Sequence, residues 1–168
     1  MRSFERSNRR MTFQEGKIHD VVIRDLKKLV DGRGWLAELF REDEIDRQFM
    51  PVMSYISVTH PGVARGPHEH TGQADLFAFI GPSNFKVYVW DSRKDSPTYL
   101  RKFSFIAGEG APKSVIIPPG VVHAYKNVGT SDGTVINLPN RLFAGYGKKE
   151  PVDEIRHENR TETIFQLD

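Results

Sequence analysis

Three histidines and an aspartate stand out by type and spacing. His68 and His70 flank one residue in Arg65-Gly66-Pro67-His68-Glu69-His70, Asp75 follows shortly after, and His123 lies in Pro118-Pro119-Gly120-Val121-Val122-His123-Ala124-Tyr125-Lys126-Asn127. Side chains two apart on a strand project to one face, so His68 and His70 can act together. Two chemistries are open to such a set. A neutral imidazole can act as a general base near physiological pH. Alternatively, His68, His70, Asp75 and His123 compose a set of three imidazoles and one carboxylate, which suits Fe, Mn, Ni or Zn with positions left open. The chain has no cysteine, which removes thiolate sites and disulfides from consideration. His19, His60 and His157 fall outside this spacing and read as surface or hydrogen-bonded core residues.

These residues must be positioned by strands. Phe85-Lys86-Val87-Tyr88-Val89-Trp90 alternates two sets of side chains and is rich in aromatic and β-branched types. Similar runs are Val21 to Ile23, Trp35 to Phe40, Ser54 to Val58, Leu76 to Ile80, Lys102 to Ile106, Ser114 to Ile117 and Thr134 to Asn137. Turn chemistry separates them, as in Asp31-Gly32-Arg33-Gly34 and Gly81-Pro82-Ser83-Asn84. Glu42 to Phe49, with Ile45 and Phe49 four apart, is predicted to form a short surface helix. The charged tail from Glu150 reads as a late helix packed on the body or as a frayed end. About eight strands with short peripheral helices predict an all-β barrel or jelly roll.

At 168 residues and 38% hydrophobic content, the chain supports one core and one domain. Residues 1–16 are predicted to be a disordered leader and residues 17–168 the domain; Met11 offers an alternative start. The net charge is +2, but residues 1–10 hold four Arg and one Glu, leaving 20 basic and 21 acidic residues beyond them. A body so close to neutral has no basic footprint for nucleic acid. No run has the length needed for a membrane span or the character of a secretory signal, so a cytoplasmic protein is expected.

The two histidine segments resemble the paired motifs of the cupin superfamily, an H-x-H with a later carboxylate followed by P-x-G-x-x-H-x-x-x-N. The second matches at every fixed position; the first carries Asp75 for the usual Glu, and its closing Gly81 comes one residue early. A narrower resemblance covers roughly residues 17 to 160. Asp31-Gly32-Arg33-Gly34-Trp35 with Glu38 and Phe40 is similar to the D-x-R-G opening of the dTDP-4-dehydrorhamnose 3,5-epimerases. Gly62-Val63-Ala64-Arg65-Gly66-Pro67-His68 resembles their G-V-x-R-G-x-H segment. Asp91 to Tyr99 resembles their D-x-R-x-x-S-P-T-F, and Ile117-Pro118-Pro119-Gly120 with His123 their I-P-x-G-x-x-H.

The resemblance implies a cupin-type jelly-roll barrel acting on a nucleotide-linked 4-keto-6-deoxy sugar. It implies that a His removes a proton beside the ketone and a Tyr returns one to the opposite face. Carried onto this chain, His68 is the base; Arg65 and Arg33 hold the diphosphate or stabilise charge, Glu38 helps bind the nucleotide side, and His123 and Lys126 join the substrate-binding set. The Tyr acid falls at Tyr146 counting back from Ile155, the preferred assignment, whereas the gap-free count from Thr134 falls on Phe143. The resemblance also implies a homodimer and no cofactor, with a divalent transition metal as the alternative. Departures occur at the site: a Lys typical of the family would fall at Asp75, Met53 and Tyr55 stand where Gln and Asn are usual, and His70 replaces an uncharged amide. Three functions stay open: an epimerase, a metal-dependent cupin enzyme using the four-residue set, and a non-catalytic sugar- or nucleotide-binding module.

Overall fold

The computed structural model describes residues 12–158, 160 and 162–168. Among them are thirteen strands: β1 (Gln14–Glu15), β2 (Val22–Asp25), β3 (Leu29–Asp31), β4 (Gly34–Leu36), β5 (Tyr55–Thr59), β6 (Ala64–Glu69), β7 (Asp75–Phe79), β8 (Asn84–Asp91), β9 (Arg101–Gly108), β10 (Lys113–Ile117), β11 (Val121–Asn127), β12 (Gly133–Pro139) and β13 (Ile155–Arg156). One sheet runs β1-β9-β8-β11-β6-β13 and the facing sheet β2-β10-β7-β12-β5, with β3-β4 as a separate hairpin. This is the expected all-β jelly roll. The leader expected over residues 1–16 lies outside the described residues as far as residue 11; beyond it, Gln14 and Glu15 pair in parallel with Arg101 and Lys102.

Strand alternation builds the core. Val87 and Val89 of β8 point between the sheets, where they meet Phe77, Phe79, Phe85, Val115, Val121 and Tyr125. Tyr88 and Trp90 point outward, yet they too are buried, beneath Phe165 of the tail. The tail is thus neither a helix nor a frayed end: Ile155 and Arg156 pair with Glu69 and His68, and the Phe165 ring packs edge-on to Trp90 at 5.7 Å. Its anchors are single apolar side chains among charges, a pattern without the periodicity of a helix.

Two further expectations are corrected. Glu42 to Phe49 forms two 3-10 turns, Glu42–Glu44 and Arg47–Phe49, instead of one helix. Ile45 between them is extended, with φ −115° and ψ 140°, because its side chain is drawn into a cluster with Leu76, Ile116 and Leu138 outside the five-stranded sheet. Trp35 to Phe40 keeps strand geometry only as far as Leu36.

The Asp91-to-Thr98 segment has a structural role. The fully buried Asp91 carboxylate accepts from Arg93 Nε and NH2 at 2.9 Å, Ser96 Oγ at 2.5 Å and Thr98 Oγ1 at 2.6 Å. Burial opposes its ionisation, but these donors outweigh that and lower its pKa to about 2. A depressed carboxylate pKa stabilises the fold above the unfolded value of 3.8 and loses that contribution as pH falls through about 2. Asp91→Asn is therefore expected to cost about 3 kcal/mol at neutral pH, read from urea midpoints, and the wild-type advantage should shrink between pH 4 and 2 (about these values).

Candidate active site

His68 and Arg65 owe their placement to an irregularity in β6. The β6–β11 register runs His123↔His68 and then Tyr125↔Arg65, so one extra residue lies on β6. A bulge of this kind lets side chains three apart share a face, which sets Arg65 and His68 opposite the inward-facing Tyr125 and His123. Gly66 makes this possible: its φ is +81°, and a Cβ there would lie 2.5 Å from the His123 carbonyl oxygen.

His70 follows the end of β6 and is fixed from two sides. Its carbonyl accepts from Gly120 N at 2.7 Å; Gly120 has φ +75°, and a Cβ there would meet Arg93 Cγ at 2.8 Å. The Pro-Pro-Gly turn thus positions His70 through its backbone. Its Nδ1–H donates to the carbonyl of Asp153 in the tail, and the Asp153 carboxylate accepts from the amides of Thr71 at 2.8 Å, Gly72 at 2.8 Å and Gln73 at 2.9 Å. His123 is tethered likewise, with Nδ1–H to the Val121 carbonyl at 3.1 Å. A carbonyl only accepts, so both rings carry a proton on Nδ1.

Asp75 opens β7 and is buried among these rings. Its Oδ1 accepts from Gln73 Nε2 at 2.9 Å and Asn137 Nδ2 at 3.0 Å. Its Oδ2 stands 3.1 Å from His70 Nε2 and 3.5 Å from His123 Nε2, yet neither Oδ2 nor His123 Nε2 has a hydrogen-bond partner. The nearest donor to His70 Nε2 is Gln73 Nε2, at a long 3.4 Å. Burial works against the Asp75 charge, but the adjacent His123 and His70 hold its carboxyl far below the usual range. Burial also lowers His70, and the Asp75 carboxylate and the Asp153 carbonyl more than offset this, leaving it raised. His68 differs from both neighbours. It is partly exposed, no hydrogen bond holds its ring among the described residues, and burial with the nearby His123 and His70 pushes it down to about 2, so it is neutral.

The four predicted residues therefore converge, with one donor atom from each lying within 4.8 Å of all the others. Arg65 adjoins them but is held by Thr59 Oγ1 at 3.0 Å and the Val58 carbonyl at 2.8 Å. Other predicted site residues lie elsewhere. Lys126 points to the outer face of β11, where its Nζ reaches the Asp168 carbonyl at 3.3 Å, because it is odd-spaced from His123 and Tyr125. Arg33 is 89% exposed and paired with Asp31 at the tip of the β3–β4 hairpin. Glu38 is paired with Arg41 on the surface. Tyr146 is 87% exposed and Phe143 54%, both beyond β12.

A phenol that sequence reasoning passed over does reach the cluster: Tyr55 OH accepts from Asn137 Nδ2 at 2.7 Å, and the same amide holds Asp75. Its only signal was its standing where an Asn is usual. Gln73 stood only as the Q of the resembling motif, and Asp153 had no such signal. The remaining histidines are structural: His19 and His60 pair with Asp20 and Asp132 at the surface, and the buried His157 donates from Nε2 to Glu69 Oε1 at 2.9 Å.

A jelly-roll barrel with imidazoles, a carboxylate and a phenol gathered in its interior defines a cupin-type enzyme. The model of the dTDP-4-dehydrorhamnose 3,5-epimerase family matches residues 15–141. A probable low-salt glycan biosynthesis epimerase, Agl13 of Haloferax volcanii, is 39% identical over 127 residues, covering 75% of this chain and 81% of that protein. The spore coat polysaccharide biosynthesis protein SpsL of Bacillus subtilis is 35% identical over 147 residues, covering 88% and 93%. Among solved structures, ChmJ, a 3'-monoepimerase from Streptomyces bikiniensis in complex with dTDP-quinovose, superposes with a TM-score of 0.72 at 23% identity, over 87% of this chain and 72% of that one. The chain belongs to the dTDP-4-dehydrorhamnose 3,5-epimerase family and is an isomerase of the epimerase type.

The tail's grip on the 71–73 loop is testable. Removing the Asp153 carboxylate leaves three amides without their acceptor, a loss of about 1–3 kcal/mol for the segment. Asp153→Ala is expected to speed amide hydrogen exchange at Thr71, Gly72 and Gln73 while strands β8 and β11 keep their protection.

Proposed function

We propose that this protein inverts a carbon beside the ketone of a nucleotide-linked 4-keto-6-deoxy sugar, working in the cytoplasm as a homodimer, with His68 as base and Tyr55 as acid. The observation that carries the assignment of the base is the contrast among the imidazoles. His70 and His123 are buried and tethered, whereas His68 is neutral, untethered and partly exposed. A positioned general base contributes about 10²–10⁴ in rate when its pKa lies near the working pH, so the depressed value of His68 has to rise as negative charge develops on the substrate beside it. Proton loss leaves negative charge on the ketone oxygen, which nearby donors or a cation must stabilise.

For the acid, Tyr55 has the better support. Its hydroxyl accepts from Asn137, so its own proton is free to leave toward substrate. Burial, aided by the nearby Asp75 charge and opposed by the Asn137 hydrogen bond, pushes the phenol up to about 12, which keeps it protonated. The fully solvated Tyr146 has no comparable placement.

Exposed apolar surface supports the homodimer. β5 is a sheet edge with Ile56 66% and Val58 50% exposed, and the β3–β4 hairpin exposes Val30 76% and Trp35 52%. An open edge with apolar flanks invites a second copy. Arg33 and Glu38 accompany that hairpin, so dimerisation would carry them toward the second copy's substrate. The dTDP-sugar bound by ChmJ supports a nucleotide-linked sugar here.

Incubation with a nucleotide-linked 4-keto-6-deoxy sugar in heavy water should place deuterium beside the ketone. His68→Asn is expected to cut that exchange about 10²–10⁴-fold. Tyr55→Phe should retain exchange on the original face and lose inversion, whereas Tyr146→Phe should still invert; inversion persisting in Tyr55→Phe would return the acid role to another group. Light scattering should give twice the chain mass of 19.2 kDa, with Ile56→Asp shifting the protein to monomer.

A further inference from the structure

We infer that Glu69 and His157, paired on the outer face of the six-stranded sheet, are positioning residues for the reaction: they set the place of His68 from behind without touching the substrate. His68 and His70 flank Glu69 in the chain, and strand alternation sends the Glu69 side chain to the face opposite the His68 ring. There His157 Nε2–H donates to Glu69 Oε1 at 2.9 Å, and Ser92 Oγ donates to Oε2 at a long 3.4 Å. The His157 ring lies 4.6 Å from that of Phe165, which is itself packed on Trp90. The pair thus ties the residue after His68 to the tail and, through the tail, to β8.

Stability alone gives no reason for these two side chains. Both are largely buried, His157 at 7% and Glu69 at 17% side-chain exposure, and among the described residues no Lys or Arg pairs with the Glu69 carboxylate. His157 Nδ1 is buried without a hydrogen-bond partner, so one polar atom of the pair is desolvated with nothing in return. Apolar side chains of similar volume commonly match or exceed the stability of a buried polar pair. What the polar pair adds is direction: a hydrogen bond has a preferred distance and angle, whereas apolar surfaces can slide past one another.

Direction is what β6 lacks by itself. The strand carries the bulge between Arg65 and His68, and β13 covers its edge over only two residues, Ile155 opposite Glu69 and Arg156 opposite His68. No hydrogen bond holds the His68 ring among the described residues, so the ring stands where its backbone puts it. Glu69 is the neighbouring side chain through which that backbone is fixed. A misplacement of about 1 Å at a reacting group can cost about 100-fold in rate. The inference rests on the reading of His68 as the base, and it assigns the tail a part in the reaction through His157.

The test follows deuterium exchange on a nucleotide-linked 4-keto-6-deoxy sugar as kcat and KM, with the melting temperature of each variant beside them. Glu69→Ala is expected to lower kcat about 10–100-fold with KM within about twofold, because the pair lies on the far side of the strand from the substrate. Glu69→Gln, whose Oε1 can still accept from His157, should keep kcat within about threefold. The double variant Glu69→Leu/His157→Leu should melt no lower than wild type and still lose kcat as Glu69→Ala does. Ile45→Ala, which opens a cavity outside the other sheet, should do the reverse, melting lower with kcat unchanged. Wild-type kcat in Glu69→Ala overturns the inference, as does a loss that appears in KM instead. Should Glu69→Ala fail to fold, wild-type kcat in the double variant overturns it equally. Nitrogen-15 spectra of the histidine rings keep the inference apart from the epimerase reading. The His68 signals should shift or broaden in Glu69→Ala and match wild type in Ile45→Ala. Exchange that is lost in His68→Asn but unchanged in Glu69→Ala overturns the positioning role alone. Wild-type protein without exchange on any keto-sugar nucleotide removes the epimerase reading, and the ring signals then decide: unchanged His68 signals in Glu69→Ala or in the double variant overturn the positioning.

Discussion

The structure turns on one buried carboxylate. Taking an ion such as Asp75 out of water costs several kcal/mol unless charge and hydrogen bonds replace its hydration, and here every replacement comes from a different part of the chain. Gln73 arrives from the loop before β7, Asn137 from β12, His70 from beyond β6 and His123 from β11. Gln73 is a near neighbour in sequence and Asn137 lies on the adjacent strand of the same sheet, but His70 and His123 come from the six-stranded sheet and reach Asp75 only when the two sheets are closed on one another. The barrel's closure and the assembly of its chemistry are therefore a single event, and a defect in either exposes an uncompensated charge.

The interior is graded to accommodate that charge. Along β7 the inward positions run Asp75, Phe77, Phe79, and along β11 they run Val121, His123, Tyr125. Phe77 touches both regions, with ring centroids 5.5 Å from His123 and 5.7 Å from Tyr125. The apolar rings give the barrel its stability, and they also lower the local dielectric beside the imidazoles. In that setting an electrostatic contact at the polar end acts more strongly than it would in water.

What the amino-acid sequence disclosed about this arrangement follows from how local each feature is. The H-x-H pair and the P-x-G-x-x-H segment are strand and turn patterns, so His68, His70 and His123 could be placed before any fold was known, and the alternation of Phe85 to Trp90 declared a strand. Asp75 was legible because it follows His70 closely. Asn137 and Asp153 were not, since they join the site from a strand and a tail remote in sequence, and nothing in their neighbourhoods distinguishes them from surface polar residues; Tyr55 showed only as a departure from the family's usual Asn. Lys126 misled for a geometric reason: motif spacing does not say which face of β11 a residue occupies. Arg33 and Glu38 were chosen by resemblance, and the single chain keeps them apart from the cluster because their place is set by the hairpin. The two turns around Ile45 escaped the helical reading because one buried side chain outweighed local propensity.

The tail explains why the strand carrying His68 can be so irregular. β6 has a bulge at Gly66 and Pro67, and proline supplies no amide to a neighbouring strand. Without β13 it would also be the open edge of its sheet, paired only with β11. An irregular edge strand frays readily, which would let the His68 ring wander. β13 covers that edge, the amides of His157 and Glu158 both donate to the Pro67 carbonyl at 2.8 and 3.2 Å, and the buried His157–Glu69 pair holds the strand from its outer side. Phe165 then fastens the tail to Trp90. The bulge is what turns His68 and Arg65 to one face, and the tail is what makes a bulged strand rigid enough to hold them there, so the last residues of the chain belong to the construction of the site as much as the motif that contains the histidine.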